Sequence, residues 1–304
     1  MILVTGGTGF IGRVLVRKLV QRSRPVRILL RPSPVSPRLP RGISVEAAVC
    51  SLRDERGLRA ALKGVDVIFH LASAERSGSR ADLSGVDVEG TDTLARMASD
   101  AGVQRIIYMS HLGADRSSAY PLMRAKAHAE DSLKQSGIPV TIFRSAVVYG
   151  PNDQFTLSLA RLLEISPGFV LIPGEGDTLL QPFWVEDLVT CLLLAMDDTG
   201  ASNHLYEVGG TEYFSFKETL NLLMSVTGVK RRLVKMFPVY LRTISVIAEH
   251  IYPRFPISLF WLDYLAADRT CALDSVPRTF GLMPARFSRQ LGYLRGKQPS
   301  VMGE

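Results

Sequence analysis

Met1-Ile-Leu-Val-Thr-Gly-Gly-Thr-Gly-Phe-Ile-Gly12 is the stretch whose reading decides the fold. Ile2, Leu3 and Val4 form a short apolar run, and Gly6, Gly9 and Gly12 follow at three-residue intervals. Ile11, Leu15, Leu19 and Val20 then continue as an apolar stripe at helical spacing. The order is strand, tight turn, helix. Gly6 permits the turn, Gly9 lets the backbone approach a pyrophosphate, and Gly12 lets the helix pack close on the strand. Phosphates seated there would meet unpaired N–H groups and the positive end of the helix dipole. The stretch therefore places a phosphate cradle on Thr5, Gly6, Gly7, Thr8, Gly9, Phe10, Ile11 and Gly12.

The 304 residues suffice for a large α/β domain with a smaller lobe. With 46% hydrophobic and 21% charged residues, neither disorder nor a membrane bundle is indicated. The net charge of +7 favours an acidic partner or surface, but no basic run longer than Lys230-Arg231-Arg232 focuses it, so nucleic acid is not expected. Cys50, Cys191 and Cys271 form no CxxC pair and read as reduced thiols. The five histidines show no metal-ligand spacing, and no metal is expected. A strand beginning at Met1 leaves no room for a signal peptide, which points to a cytoplasmic protein.

Strand and helix patterns alternate through the first half, as in a parallel sheet with helices on both faces. Strands are predicted at 2–4, 26–31, 43–49, 65–72, 105–110 and 140–148, with helices at 52–62, 86–101 and 121–136 between the later ones. Pro32, Pro34, Pro37 and Pro40 exclude helix or central strand after the second strand. Further on, helices are predicted at 155–163, 186–196 and 216–226, the last opened by the capping-box spacing Ser215-Phe-Lys-Glu218 and closed by Gly228. Leu205 to Val208 reads as one more strand returning to the sheet. The expected organisation is a dinucleotide-binding domain over 1–210, with 151–180 contributing to a substrate lobe, and a smaller C-terminal lobe over 211–304.

The chain resembles the extended and atypical short-chain dehydrogenase/reductases. The resemblance rests on Thr5-Gly-Gly-Thr-Gly-Phe-Ile-Gly12, His70-Leu-Ala72, Val88-Glu-Gly-Thr91 and Gly102-Val-Gln-Arg-Ile-Ile-Tyr-Met-Ser110. It continues through Arg124-Ala-Lys-Ala-His-Ala-Glu130, Phe143-Arg144, Tyr149-Gly-Pro151 and Trp184-Val-Glu-Asp187. Ser110-His-Leu-Gly113 and the surroundings of Lys126 look most like the NmrA-like branch and the related accessory subunit of respiratory complex I. The resemblance implies a Rossmann-type doubly wound sheet binding a nicotinamide dinucleotide, with Leu71, Ala72, Ser110 and Lys126 beside the cofactor. Arg31 stands where an acidic residue would bind an NAD ribose, and a guanidinium there suits a 2′-phosphate, with Arg38 or Arg41 able to close over it. NADP(H) is therefore favoured over NAD(H).

The family's catalytic Tyr lies four residues before the Lys, and counting back from Lys126 lands on Leu122. Tyr120 is two residues too early, and His111 takes the usual Ser or Thr position. The ordinary Ser-Tyr-Lys mechanism is not encoded. Three readings remain open: a reductase of an apolar small molecule using Lys126 with His111 or Tyr120, a non-catalytic cofactor-binding accessory subunit or redox sensor, and a membrane-associated assembly factor. Phe237, Tyr240, Ile244, Ile247 and Ile251 repeat every three or four residues within the apolar segment 233–265. Either this stripe packs a lid helix onto the substrate lobe, or, with Phe255, Leu259, Phe260 and Trp261, it meets a bilayer interface or a large apolar substrate.

Overall fold

A computed structural model describes residues 1–33, 42, 44–75, 81–251 and 259–295, with the side chains of 248–251 excepted. The glycine-rich stretch forms β1 (Ile2–Thr5) and α1 (Phe10–Gln21), followed by β2 (Val26–Leu30), β3 (Glu46–Val49), α2 (Glu55–Ala61) and β4 (Val67–His70). A wide π-type turn over Ser84–Glu89 leads into α3 (Gly90–Asp100), β5 (Arg105–His111), α4 (Pro121–Gln135) and β6 (Val140–Ser145). Next come β7 (Val148–Tyr149), α5 (Thr156–Ile165), β8 (Phe169–Pro173), β9 (Leu179–Leu180), β10 (Phe183–Trp184) and α6 (Val185–Asp197). The remainder is β11 (Leu205–Val208), β12 (Phe214–Ser215), α7 (Phe216–Thr227), β13 (Arg232–Met236), α8 (Pro238–Ile251), α9 (Leu259–Tyr264) and α10 (Ser275–Phe280).

These elements divide into two compact units, one of residues 1–145 and 188–208, the other of 146–187 and 209–304. The first unit is a seven-stranded sheet in the order β11-β6-β5-β4-β1-β2-β3, with every neighbouring pair parallel. Its central strands are apolar runs buried on both faces, as parallel strands covered by helices must be. Leu58 of α2, Leu94 of α3 and Leu133 of α4 share one core with Leu3, Ile68 and Ile106. On the other face, Val16 of α1 and Ile28 of β2 both approach Gly7. From β1 the chain winds to β2 and β3, then crosses to β4 on the other side. That reversal is the topological switch point, where a crevice opens outside the carboxyl ends of β1 and β4.

The second unit holds three two-stranded pairs: β7 with β10, β8 with β13, both parallel, and β9 with β12, antiparallel. The capping box is formed: the Ser215 hydroxyl accepts from the Glu218 N–H, and the Glu218 carboxylate accepts from the Ser215 N–H. Gly228 closes α7 at φ 74°, a left-handed position that favours glycine.

Several expectations shift. The sixth strand, predicted to run to Val148, stops at Ser145, and β7 pairs separately with β10 inside the second unit. The helix predicted from residue 86 begins only at Gly90, because residues 84–89 form the wider turn. β13 was not expected, because Arg232 and Lys235 interrupt its apolar pattern; both are exposed. Ile43, placed in the third strand, lies outside the described residues, as do Arg38, Arg41 and Phe255. The stripe of α8 does not pack on the lobe: Tyr240, Ile244 and Ile247 are exposed, while Leu241 and Ser245 face inward. The inward-facing Leu241 and Ser245 each follow by one position a residue that the period singles out.

Among the described residues, no helix is long and apolar enough to cross a membrane, and no group of three or more His, Cys, Asp or Glu side chains is placed to hold a metal ion.

Candidate dinucleotide site and buried charge network

The cradle is built by atoms that are missing. Gly6 sits at φ +69°, and a Cβ there would lie 2.7 Å from the Leu71 carbonyl carbon. A Cβ on Gly12 would come within 2.2 Å of the Gly6 carbonyl oxygen, so only glycine lets α1 seat against the turn. Gly9 is the N-cap of α1, and neither a capping side chain nor a first-turn carboxylate occupies the free N–H groups. Phe10 is buried and anchors the helix, whereas Gly7 approaches Ile28 and Thr8 and Ile11 are half-buried along the rim. An uncapped helix start behind a sterically closed glycine turn fits a pyrophosphate.

The cradle is held from below by one hydroxyl. Thr5 accepts at Oγ1 from the N–H groups of Leu71 and Ala72, each at 3.2 Å. Its proton is then directed to His70 Nδ1 at 2.7 Å, which leaves Nε2 protonated and donating to Thr91 Oγ1 at 2.9 Å. Thr5 and His70 are register partners across β1 and β4. His70 is fully buried, and burial, reinforced by the Lys126 charge, pushes its pKa down to about 3. It serves as a neutral strut. Leu71 and Ala72 thereby present a fixed backbone next to Gly6.

Lys126, on α4, is 3% exposed. Its Nζ lies 3.2 Å from Asp87 Oδ1 and 5.4 Å from the centre of the Tyr108 ring. Asp87 Oδ2 accepts from the Ala74 N–H at 2.9 Å, and the π-type turn aims this carboxylate inward. Burial alone would favour neutral lysine. The opposing potential of the Tyr108 oxygen, Asp87 and Glu75 outweighs it, and the ammonium's pKa lies above its ordinary value. Tyr108 stacks on His70 at 5.4 Å, and burial raises its phenol above the usual range despite the nearby lysine.

Ser110 is also buried, donating from Oγ to Glu130 Oε1 at 2.6 Å. Glu130 in turn accepts a two-pronged pair from Arg144, at 3.0 and 2.7 Å, which pins α4 to β5 and β6. His111, at the carboxyl end of β5, has Nε2 2.8 Å from Glu75 Oε2, and Ser73 donates to the same oxygen at 3.4 Å. Both partners are part-exposed, unlike the lysine. Leu122, at the position of the family tyrosine, is buried, and Tyr120 is a half-exposed residue in extended conformation just ahead of α4. Tyr149 is buried in the second unit against Trp184 and Phe287. Arg31 is exposed directly after β2.

The structure thus gathers the glycines, Leu71, Ala72, Ser110, Lys126 and His111 along the carboxyl edge of one sheet. The sequence reading missed Asp87, Tyr108 and Glu75. Asp87 sat in a stretch taken for ordinary helix, and Tyr108 inside a strand taken for apolar core; Glu130 was quoted in its motif without its role.

A parallel sheet of this strand order with a glycine cradle at its switch point defines a dinucleotide-binding Rossmann domain. A family model described as NAD(P)H-binding matches residues 6–156. Over 278 residues the chain is 33% identical to sterol demethylase protein B of Methylococcus capsulatus, covering 83% of this chain and 82% of that protein. It is 30% identical over 243 residues to the mitochondrial NADH dehydrogenase (ubiquinone) 1 alpha subcomplex subunit 9 of Arabidopsis thaliana, covering 78% of this chain but only 60% of that subunit. The fold matches UDP-glucose 4-epimerase of Thermotoga maritima with a TM-score of 0.71 at 23% identity, over 96% of both chains. The chain belongs to the atypical, extended-type short-chain dehydrogenase/reductases, an NAD(P)-binding oxidoreductase family.

Two consequences can be measured. Unfolded histidine binds its proton near 6.5 and folded His70 only near 3, so below 6.5 the unfolded state holds more protons and stability falls with pH. Urea midpoints between pH 7 and 5 are expected to drop more steeply for the native chain than for His70→Gln. Lys126→Met leaves Asp87 buried without its cation and is expected to cost about 3–5 kcal/mol. Lys126→Met with Asp87→Leu should recover most of that loss in the same denaturation assay.

Proposed function

We propose that the chain is an NADP(H)-dependent reductase of an apolar small molecule. When bound, the reduced nicotinamide supplies a hydride from C4. The observation that carries the proposal is the His111–Glu75 pair at the carboxyl edge of β5, a part-exposed imidazole held 2.8 Å from a carboxylate. That arrangement suits delivery of a proton to a developing alkoxide, with Glu75 orienting the ring. Lys126 is better suited to anchoring than to proton transfer, because its charge is retained; Asp87 takes one of its three donors, and a ribose hydroxyl would take another. Tyr120, half-exposed before α4, is a secondary contact to substrate in this reading. Arg31, exposed after β2, would pair with a 2′-phosphate and favour NADP(H) over NAD(H). The sterol-related relative supports an apolar substrate.

A second reading, a non-catalytic cofactor-binding accessory subunit or sensor, is supported by buried Leu122 at the family tyrosine position and by the likeness to the respiratory-chain subunit.

NADPH oxidation, followed by fluorescence with cholest-4-en-3-one and decylbenzoquinone as probes, separates the two. The reductase reading expects turnover with one of them, slowed by about a hundredfold in His111→Ala with NADPH affinity unchanged. Tight NADPH binding with no oxidation of either probe supports the accessory role.

A further inference from the structure

The second unit contains a cavity of about 280 Å³ lined wholly by its own residues. α5, β8, α8 and α9 surround it. Its interior is formed by Phe155, Leu159, Leu162, Val170, Leu241 and Leu265, each at most 7% exposed. The polar side chains among its described lining residues are Ser166 and Ser245, and the Ser166 hydroxyl is already committed to the Leu162 carbonyl at 2.6 Å. A void of this size in a close-packed interior has room for a ligand, and with the Ser245 hydroxyl and the Trp261 indole N–H as its remaining polar groups its walls suit hydrocarbon better than a sugar, a nucleotide or a charged group.

The mouth decides the ligand class. Ile165, Phe169 and Ile244 line the cavity and are also exposed, at 54%, 45% and 43%. A pocket filled from water usually carries a polar rim; this one has a hydrocarbon rim. The rim continues along one side of α8, where Tyr240 and Ile247 are 62% and 54% exposed, with Phe237 just before the helix at 74%. An apolar surface running without interruption into an apolar cavity is suited to entry from a lipid phase. Charge marks the same edge. Arg232 is the register partner of Phe169 in the β8–β13 pair, it is exposed, and Lys230, two residues before it, is exposed as well. Among the described residues, neither forms an ion pair, and both are free to meet an anionic headgroup.

We propose that this cavity binds the hydrocarbon chain of a single-chain anionic lipid, taken up from a membrane surface on which the exposed side of α8 rests, with Arg232 pairing with the headgroup at the mouth. The site lies wholly within the second unit and does not depend on the reductase reading. A lipid bound there would be held whether or not the chain turns over NADPH.

The test uses the full chain without added nucleotide and cis-parinaric acid as the probe. Its polyene chain accepts energy from tryptophan, and Trp261 lines the cavity. Saturable quenching of Trp emission at one probe per chain is expected, reduced in Trp261→Phe to the share that Trp184 contributes, while probe fluorescence still reports binding. Ser245→Phe and, separately, Leu162→Phe fill the cavity and should weaken binding by at least about tenfold, the variant with a native melting curve being the one read. Arg232→Glu should weaken parinarate but not the neutral parinaryl alcohol. Binding that does not saturate, or that survives cavity filling in a folded variant, overturns the proposal. Equal effects of Arg232→Glu on acid and alcohol overturn the headgroup assignment. None of these readouts involves cofactor, so neither proposal's failure can be mistaken for the other's.

Discussion

The contact on which the first unit depends is the approach of Gly12 to the Gly6 carbonyl, closer than any side chain would permit. It brings the start of α1 against the end of β1 and leaves the helix N–H groups facing the crevice at the switch point. Thr5 then fixes the other wall, because its single hydroxyl accepts from Leu71 and Ala72 and donates to His70. The cradle is therefore rigid before any phosphate arrives. Preorganisation of this kind lowers the ordering cost that binding would otherwise carry.

Beneath the cradle two buried charge clusters hold α4 to the sheet. One joins Lys126 to Asp87 over Tyr108; the other joins Glu130 to Arg144 and Ser110. Buried ions contribute little net stability against apolar packing, yet removing one partner is costly, so such clusters specify geometry more than they add strength. Here they fix the carboxyl edge where His111 and Glu75 stand. The usual family tyrosine is replaced by Leu122, which belongs to the core. In the proposed reading the proton comes from outside the buried cluster, at His111.

Much of this was legible in the sequence. The glycine spacing, the apolar strand runs and the helix-closing glycines are local signals, and the structure follows them at β1, α1, β5 and α7. The motif around Lys126 located the lysine but not its environment. Asp87 and Tyr108 reach it through tertiary packing across the 84–89 turn, α4 and β5, and no periodicity records such a meeting. β13 was hidden because an exposed edge strand tolerates Arg232 and Lys235. The stripe on α8 was seen, but its direction was not, since spacing reports which residues share a face and is silent on whether that face meets protein or solvent. Arg31 is where the sequence placed it, after β2, whereas Arg38 and Arg41 lie outside the described residues.

The most direct measurement is the dissociation constant of NADPH and of NADH, from nicotinamide fluorescence, for the native chain and for Gly12→Val. The native chain is expected to bind NADPH at least about tenfold more tightly than NADH. Gly12→Val is expected to lose both while its far-ultraviolet circular dichroism stays native. A native chain that binds neither nucleotide, or a folded Gly12→Val chain that binds as the native one does, would contradict the dinucleotide reading.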